Sequence, residues 1–583
     1  MNLPTLDFDF LRAQTVGVDT PLQTPFGERL MVYADFTASG RSLHFIEDYL
    51  AECLRLYANS HTEDDTTGRT TTHLLHEAEA LIKASVNAGE EGRLIACGTG
   101  STGAIDKFQQ LLGIALPPAT RHALFALLRD HLGTDATTFE DYLRLHQPVI
   151  FVGPYEHHSN EVTWREGLAT VVEVNLGPDG GVDLDHLKQL LRDERWTGRT
   201  RIGSFSAASN VTGVRSPIHD IARLLHRHDA LACFDFAASA PYVEIDMNPE
   251  DDPEAALDAV FLSPHKYLGG PGSSGVLVFN ERVYPSALPP SVGGGGTVVY
   301  VNADGHAFIQ DIESREKAGT PGIMQTLRAA LAMQVKEAVG VERIEAREQD
   351  LLRCAISRWS EESAIQILGP TDPERRIGVL SFNIRCEATG QVLHPRFVTT
   401  LLDDLFGIQS RAGCSCAGPY AHQLLGIAPE KAARLMAWSR DGVHGIKPGW
   451  CRVGFHYTHD DVEADYLIDA VTFVARYGSR FLPLYEFRLR SGTWTHREHT
   501  AEPPVFSLDA ALAACPERAT PSATERAERY ASALREAHAW AERLETELVS
   551  TTLDGELADL QYFAVAAGTV ADDADDDAYC GGF

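Results

Sequence analysis

Short, uninterrupted apolar runs punctuate the first half of the chain, and each ends in a polar or glycine-rich break. The runs are Arg93 to Cys97, Val149 to Val152, Val171 to Asn175, Ile202 to Ser206, Leu231 to Asp235, Ala259 to Leu262 and Val276 to Phe279. Runs this short without polar alternation predict strands buried on both faces. Between them lie stretches of helical spacing, such as Ala104, Ile105, Phe108, Leu111 and Leu112, and a Pro-started helix from Pro217 to His228. Strands alternating with helices predict an α/β fold around a mostly parallel sheet. A further helix, Gln325 to Ala338, leads into a smaller α+β unit with an apolar strand near Val379 to Ile384.

The same pattern divides the chain. Residues 1–30 are mixed and read as an N-terminal arm, 31–320 as the large domain, 321–484 as the small C-terminal domain and 485–583 as an extension. Within the large domain, 117–147 combines a Pro-Pro break with an amphipathic stretch around Leu124, Leu127, Leu128 and Leu132. In the extension, Ser522 and Glu525 form a capping box. It opens a helix with Tyr530, Leu534, Ala537, Ala541, Leu544 and Leu548 on one face. Ala571 to Asp577 is an acidic tail with the composition of a disordered segment.

Length and charge narrow the function classes. At 583 residues the chain exceeds one ordinary domain. Fifty Lys and Arg against 82 Asp and Glu give a net charge of −32, which argues against nucleic acid or an anionic membrane as partner. No run is long enough to span a bilayer, and the N-terminus lacks a signal peptide's basic start and apolar core, so a cytoplasmic location is expected. Ten scattered cysteines do not make a disulfide framework, and only Cys414 and Cys416 lie close together.

Candidate chemistry sits in the breaks after the strands. Gly98-Thr-Gly-Ser101-Thr102-Gly103 joins a strand to a helix start, where unpaired N–H groups and the helix dipole favour an anion. It lacks the Gly-Lys-Ser/Thr ending of a nucleotide-binding loop. Glu156-His157-His158 stands at a strand's C-terminal end, where open α/β sheets bind ligands. An adjacent histidine pair is also common in polar loops, and a zinc site would need ligands that the nearby sequence does not supply. His61 sits in a Thr/Gly-rich loop and reads equally as a site or a capping residue. Asp235 ends a buried strand, a costly place for a carboxylate without a partner.

Lys266 lies in a polar corner between two buried runs. It is either an ordinary loop lysine or a Schiff-base lysine, which must be desolvated or set beside other cations to be nucleophilic near neutral pH. In Arg411-Ala-Gly-Cys414-Ser415-Cys416-Ala-Gly-Pro419, the cysteines make at most half a metal site. Cys416 is either a small buried apolar residue or a reactive thiol with Arg411 as its cation. Taken by itself, Arg452 reads as a surface strand residue.

Ser263-Pro264-His265-Lys266 followed by Gly-Gly-Pro-Gly-Ser-Ser-Gly resembles the pyridoxal-phosphate lysine motif of the class V aminotransferase superfamily. More narrowly, it is similar to the cysteine desulfurase/selenocysteine lyase group. Further segments resemble that group in the same order across roughly residues 30–480, from Val32-Tyr-Ala-Asp35-Phe-Thr-Ala-Ser-Gly40 to Trp450-Cys-Arg452-Val-Gly-Phe-His-Tyr457.

The resemblance implies a fold type I large domain with a seven-stranded-type sheet, with 117–147 as an insertion, and pyridoxal 5'-phosphate as cofactor. Lys266 would carry the cofactor, Asp235 would pair with its pyridinium nitrogen, His157 would stack on the ring, and Asn210 would approach the phenolic oxygen. Ser101, Thr102, Ser263 and His265 join the cofactor-binding set. Thr320, inside the glycine loop Gly319-Thr-Pro-Gly322 that resembles a family segment at the dimer interface, would reach the partner subunit's phosphate in a homodimer. Arg452 and Arg411 would bind substrate, and Cys416 would be the nucleophile. Two departures stand out: Ala238 replaces the family's Gln or His, and Cys414-Ser415 replaces two histidines before the cysteine.

The resemblance therefore implies conversion of L-cysteine to alanine with an enzyme persulfide, passed on to a sulfur-acceptor protein. The alternatives are another class V reaction (C–S lysis, transamination or epimerisation) with Cys416 incidental, or a catalytically idle binding module.

Overall fold

The computed structural model describes residues 6–60, 64–133, 135–386 and 390–498, together with Thr524, Ser550–Thr551 and Val565–Ala566. His61, the capping box at Ser522 and Glu525 with its helix, and the acidic tail lie outside the described residues.

Seven strands build the large sheet: β1 (Gly92–Cys97), β2 (Val149–Val152), β3 (Thr170–Glu173), β4 (Arg201–Ser206), β5 (Ala230–Asp235), β6 (Ala259–Leu262) and β7 (Gly275–Asn280). Their spatial order is β1-β7-β6-β5-β4-β2-β3. Every neighbouring pair is parallel except those made by β7, which runs antiparallel to both β1 and β6. This is the mostly parallel seven-stranded sheet of the expected α/β fold.

Alternate side chains enter two different cores. Ile95, Ile150, Ile202 and Leu277 face one layer with Phe108, while Leu94, Phe151, Phe234 and Val278 face the other. Both layers are covered by helices, and burial on both faces is why these strands read as unbroken apolar runs.

Helix α1 (Thr66–Ser85) packs chiefly along the later helix Ile323–Val339, and α2 (Gly100–Leu111) follows β1 directly. The stretch 117–147 is two helices, α3 (Pro118–Leu132) and α4 (Asp135–His146). Arg129 Nη2 pairs with Glu140 Oε1 between them at 2.8 Å, and Leu127 is 67% exposed. Helix α5 (Ile218–His226) buries Ile221, Ala222 and Leu225. The long α6 (Ile323–Val339) crosses α1 and leads through Gly340 to α7 (Val341–Ser360).

The small unit is an antiparallel sheet of β8 (Ile365–Ile367), β9 (Val379–Ile384), β10 (Arg411–Gly413) and β11 (Trp450–Gly454), in the order β8-β9-β11-β10. Its core holds Leu352 and Trp359 of α7, Leu380 and Phe382 of β9, and Leu467 and Val471 of a helix from Asp461 to Tyr477.

Two places differ from expectation. The arm is integrated into the body: its helix Phe8–Gln14 places Leu11, fully buried, in the large core. The segment from 485, expected to open a helical extension, begins instead as an antiparallel hairpin, Tyr485–Arg488 with Thr493–His496. Its Tyr485 and Trp494 rings pack on Phe397, which extends the small unit's core. Among the described residues no helix is long and apolar enough to cross a membrane.

Candidate active site

The breaks after β2, β4, β5 and β6 all open at the C-terminal edge of the sheet, where ligands bind in open α/β folds. Together with residues 37–39, the loop after β1 and the β10–β11 side of the small unit, they enclose a cavity of about 570 Å³. It is lined by Ser101, Thr102, His157, Asn210, Asp235, Ser263, His265, Lys266, Arg411, Cys416 and Arg452. The sequence-predicted candidates thus converge, with Thr320 the exception. Thr320 is exposed and outside the cavity, and its hydroxyl accepts a hydrogen bond from Asn59 Nδ2 at 3.0 Å.

Lys266 ends a single 3₁₀ turn, Pro264–Lys266, and lines the cavity. Burial lowers its pKa from 10.5 to about 8, with the nearby Arg452 and Arg411 charges adding to the effect and Asp235 opposing it. A substantial fraction of the amine is therefore neutral near physiological pH, as a nucleophilic lysine requires.

Asp235 is 4% exposed at the end of β5. Its Oδ1 accepts the Ala237 N–H at 2.9 Å, the Ser101 hydroxyl also bonds to it, and burial pushes its carboxyl upward. No arginine or histidine pairs with it among the described residues, so the carboxylate faces the cavity without a direct ion-pair partner.

The His157 ring is held neutral. Its pKa falls to about 4, first through burial and then through the charge of Lys266. Nδ1 accepts from the Ser159 N–H at 3.2 Å, which leaves the proton on Nε2. Ser159 Oγ lies 3.0 Å from the same nitrogen and 2.6 Å from Thr102 Oγ1. Thr102 is thereby committed to orienting the histidine's turn. Behind the turn, buried Glu156 accepts from Gly153 N, Ser206 N, Ser206 Oγ and Asn160 Nδ2 at 3.1, 2.9, 2.7 and 2.7 Å.

The loop before α2 forms a cradle. Gly98 and Gly100 take φ of +50° and +57°, and a Cβ on Gly100 would lie 2.9 Å from Ser263 Oγ and 3.4 Å from His265 Nε2. Ser101 N–H donates to Ser263 Oγ at 2.8 Å. Burial, and next the Lys266 charge, lowers His265 to about 4.

These residues fit pyridoxal phosphate. A partly neutral amine, a buried carboxylate with no ion-pair partner and a glycine cradle at a helix N-terminus meet the demands of an aldehyde, a ring nitrogen and a phosphate. The Asn210 side chain adds a buried Oδ1 with no hydrogen-bond partner beside the same cavity.

The opposite wall of the cavity is built on β10 and β11, where Arg411 and Arg452 are register partners. Arg452 is 3% exposed; its Nη1 donates to Asn210 O and its Nη2 pairs with Asp35 Oδ1, both at 2.8 Å. Arg411 reaches the other Asp35 oxygen at 3.7 Å. Asp35 is a residue to which sequence reasoning gave no role. Its partner lies 417 positions away, and no local pattern marks such a pair.

Cys416 follows β10 and is exposed at the cavity wall, with φ +58°, and Ser415 before it has φ +52°. Asn210 Nδ2 holds Ser415 O at 2.7 Å, and Trp450 Nε1 holds Ser415 Oγ at 3.2 Å. Cys414 turns away and packs against the large core. Ala238 lines the cavity with a methyl group only.

Comparison with known proteins identifies the family and the fold. The family model described as aminotransferase class-V matches residues 141–467. A probable cysteine desulfurase of Streptomyces coelicolor is 27% identical over 476 residues, covering 80% of this chain and 98% of the relative. One from Halalkalibacterium halodurans is 28% identical over 314 residues, covering 53% of this chain and 72% of the relative. Among solved structures, a cysteine desulfurase of Escherichia coli superposes with a TM-score of 0.59 at 21% identity, covering 81% of this chain and 99% of that one. At that identity the likeness concerns the fold.

Proposed function

The chain belongs to the aminotransferase class-V family, and from that premise we propose that it is a cysteine desulfurase-like enzyme. It is a pyridoxal phosphate-dependent enzyme acting on an amino acid. The observation that carries the finer reading is that Cys416, Lys266 and Arg452 line one cavity.

When bound, pyridoxal phosphate supplies an electron sink for the bonds at the substrate's Cα. Lys266 would hold it, Asp235 would serve its ring nitrogen, His157 its ring face, and the Gly98–Gly103 cradle with Ser263 and His265 its phosphate. The Arg452 guanidinium, fixed by Asp35 and Asn210, together with Arg411 takes the α-carboxylate of L-cysteine. The neutral Lys266 amine, once free of the cofactor, takes the proton from Cα. The Cys416 thiolate then attacks the substrate sulfur. One S–S bond forms, the substrate's Cβ–S bond breaks, and its electron pair passes to Cβ, which is protonated to the methyl group, while Lys266 returns the proton to Cα to complete alanine. Cys416 is left as a persulfide, ready for an acceptor thiol. A homodimer in which Thr320 serves the partner subunit's site belongs to the same reading.

Another class V reaction, with Cys416 incidental, is favoured by one feature: Ala238 offers no hydrogen bond where the family has Gln or His. Alanine release from L-cysteine, compared between wild type and Cys416→Ser with equal cofactor absorbance, separates the two. Loss in the variant supports desulfuration, and undiminished turnover supports the alternative.

A further inference from the structure

His157 has a role in the reading above, but its neighbour His158 does not, and His158 bonds to the cysteine loop at Cys416 and Gly418. Its backbone N–H donates to Cys416 O at 2.8 Å. Its ring Nε2 accepts the Gly418 N–H at 3.0 Å. The two bonds straddle Cys416 and Ala417. A Cβ on residue 418 would stand 3.2 Å from Nε2, so glycine there permits the approach. Because Nε2 accepts, the ring's proton sits on Nδ1.

The loop needs such restraint. Gly413, Ser415 and Cys416 all have positive φ, at +121°, +52° and +58°. Serine and cysteine hold that conformation only where surrounding contacts impose it. Asn210 and Trp450 restrain the Ser415 side, and His158 restrains the Cys416 side.

The restraint comes from a rigid base. The turn carrying His158 is bounded by Glu156, with its four donors, and by fully buried Asn160. Asn160 Oδ1 accepts from Trp164 Nε1 at 3.0 Å and from Ser204 Oγ at 2.5 Å. The same turn presents His157 to the cavity. One short segment thus sets both the neutral ring at the cofactor site and the backbone of the sulfur-accepting cysteine.

We propose that His158 is a positioning residue that latches the Cys416 loop to the His157 turn, fixing the thiol's distance from the substrate sulfur. The inference rests on the desulfurase reading. Its test uses the holoenzyme with His158→Leu, which fills the volume without an acceptor, and His158→Gln, whose Oε1 reaches about as far as Nε2.

In His158→Leu the cofactor absorbance and KM for L-cysteine stay at wild-type values, while kcat for alanine falls roughly ten- to a hundredfold, the scale of a small misplacement of reacting groups. Hydrogen exchange at the Gly418 amide and alkylation of Cys416 by iodoacetamide both accelerate. His158→Gln restores all three. Wild-type kcat and Gly418 protection in His158→Leu overturn the latch, as does a Gln variant that behaves like Leu. If wild type releases no alanine, the desulfurase reading fails, and the exchange and alkylation rates still decide for or against the latch.

Discussion

Titration of Lys266 in cofactor-free protein offers a quantitative test of how the site activates its amine. An exposed lysine titrates near 10.4, whereas Lys266 lies near 8, chiefly through burial. At about 1.4 kcal/mol per tenfold change, that depression is worth on the order of 3 kcal/mol against the ammonium form. At pH 7.5 roughly a quarter of Lys266 is then neutral, against about a thousandth of a free lysine, a gain of roughly two hundredfold in nucleophile.

The sign for stability follows from proton counts. The folded value lies below the unfolded one, so between pH 8 and 10.5 the unfolded chain binds more protons. The penalty for the buried charge is fully present below pH 8, and cofactor-free stability gains from Lys266 as pH rises through that window. Competitive acylation across pH, read by mass spectrometry of the Lys266 peptide, measures the midpoint directly. Asp235 attracts the ammonium, so Asp235→Asn shifts the midpoint further down. A wild-type midpoint above about 9.5, or an upward shift in the variant, refutes the reasoning.

Gly100→Ala forces a side chain into a left-handed position with its Cβ 2.9 Å from Ser263 Oγ. Cofactor affinity, measured by titrating the visible absorbance, is expected to fall roughly five- to thirtyfold, the equivalent of about 1–2 kcal/mol of backbone strain; unchanged affinity contradicts the cradle. Asp35→Ala leaves buried Arg452 without its carboxylate, and urea unfolding should show a loss of about 3 kcal/mol together with a raised KM for L-cysteine. A loss under about 1 kcal/mol with KM unchanged would mean that Asp35 does not hold the arginine.

How much of this was legible in the sequence depends on how local each signal is. Ala259–Leu262 and Val379–Ile384 are strands at the positions expected, because burial on both faces writes itself as consecutive apolar residues. The chemistry-bearing breaks were legible for a related reason: polar residues after such strands must sit at the sheet's edge, where Asp235 and Lys266 are found.

Stretch 117–147 read as one amphipathic element because Asp135–His146 is largely polar, with Phe139, Tyr142 and Leu145 left exposed. The hairpin from Tyr485 escaped notice even though Tyr-Glu-Phe-Arg alternates, because only one face is covered and the opposite strand, Thr-Trp-Thr-His, has one large apolar residue. The ties of Arg452 to Asp35 and of His158 to Gly418 join residues 417 and 260 positions apart. Nor does the sequence foretell a left-handed Ser415 and Cys416, since neither residue type favours it.

The most direct measurement concerns the thiol itself. Holoenzyme is given a limited amount of L-cysteine, its free thiols are capped, and the peptide bearing Cys416 is weighed. The account predicts one added sulfur atom on Cys416 in step with alanine released, and neither in Cys416→Ser. Alanine formed while Cys416 stays unmodified, or no alanine from protein with full cofactor absorbance, would contradict it.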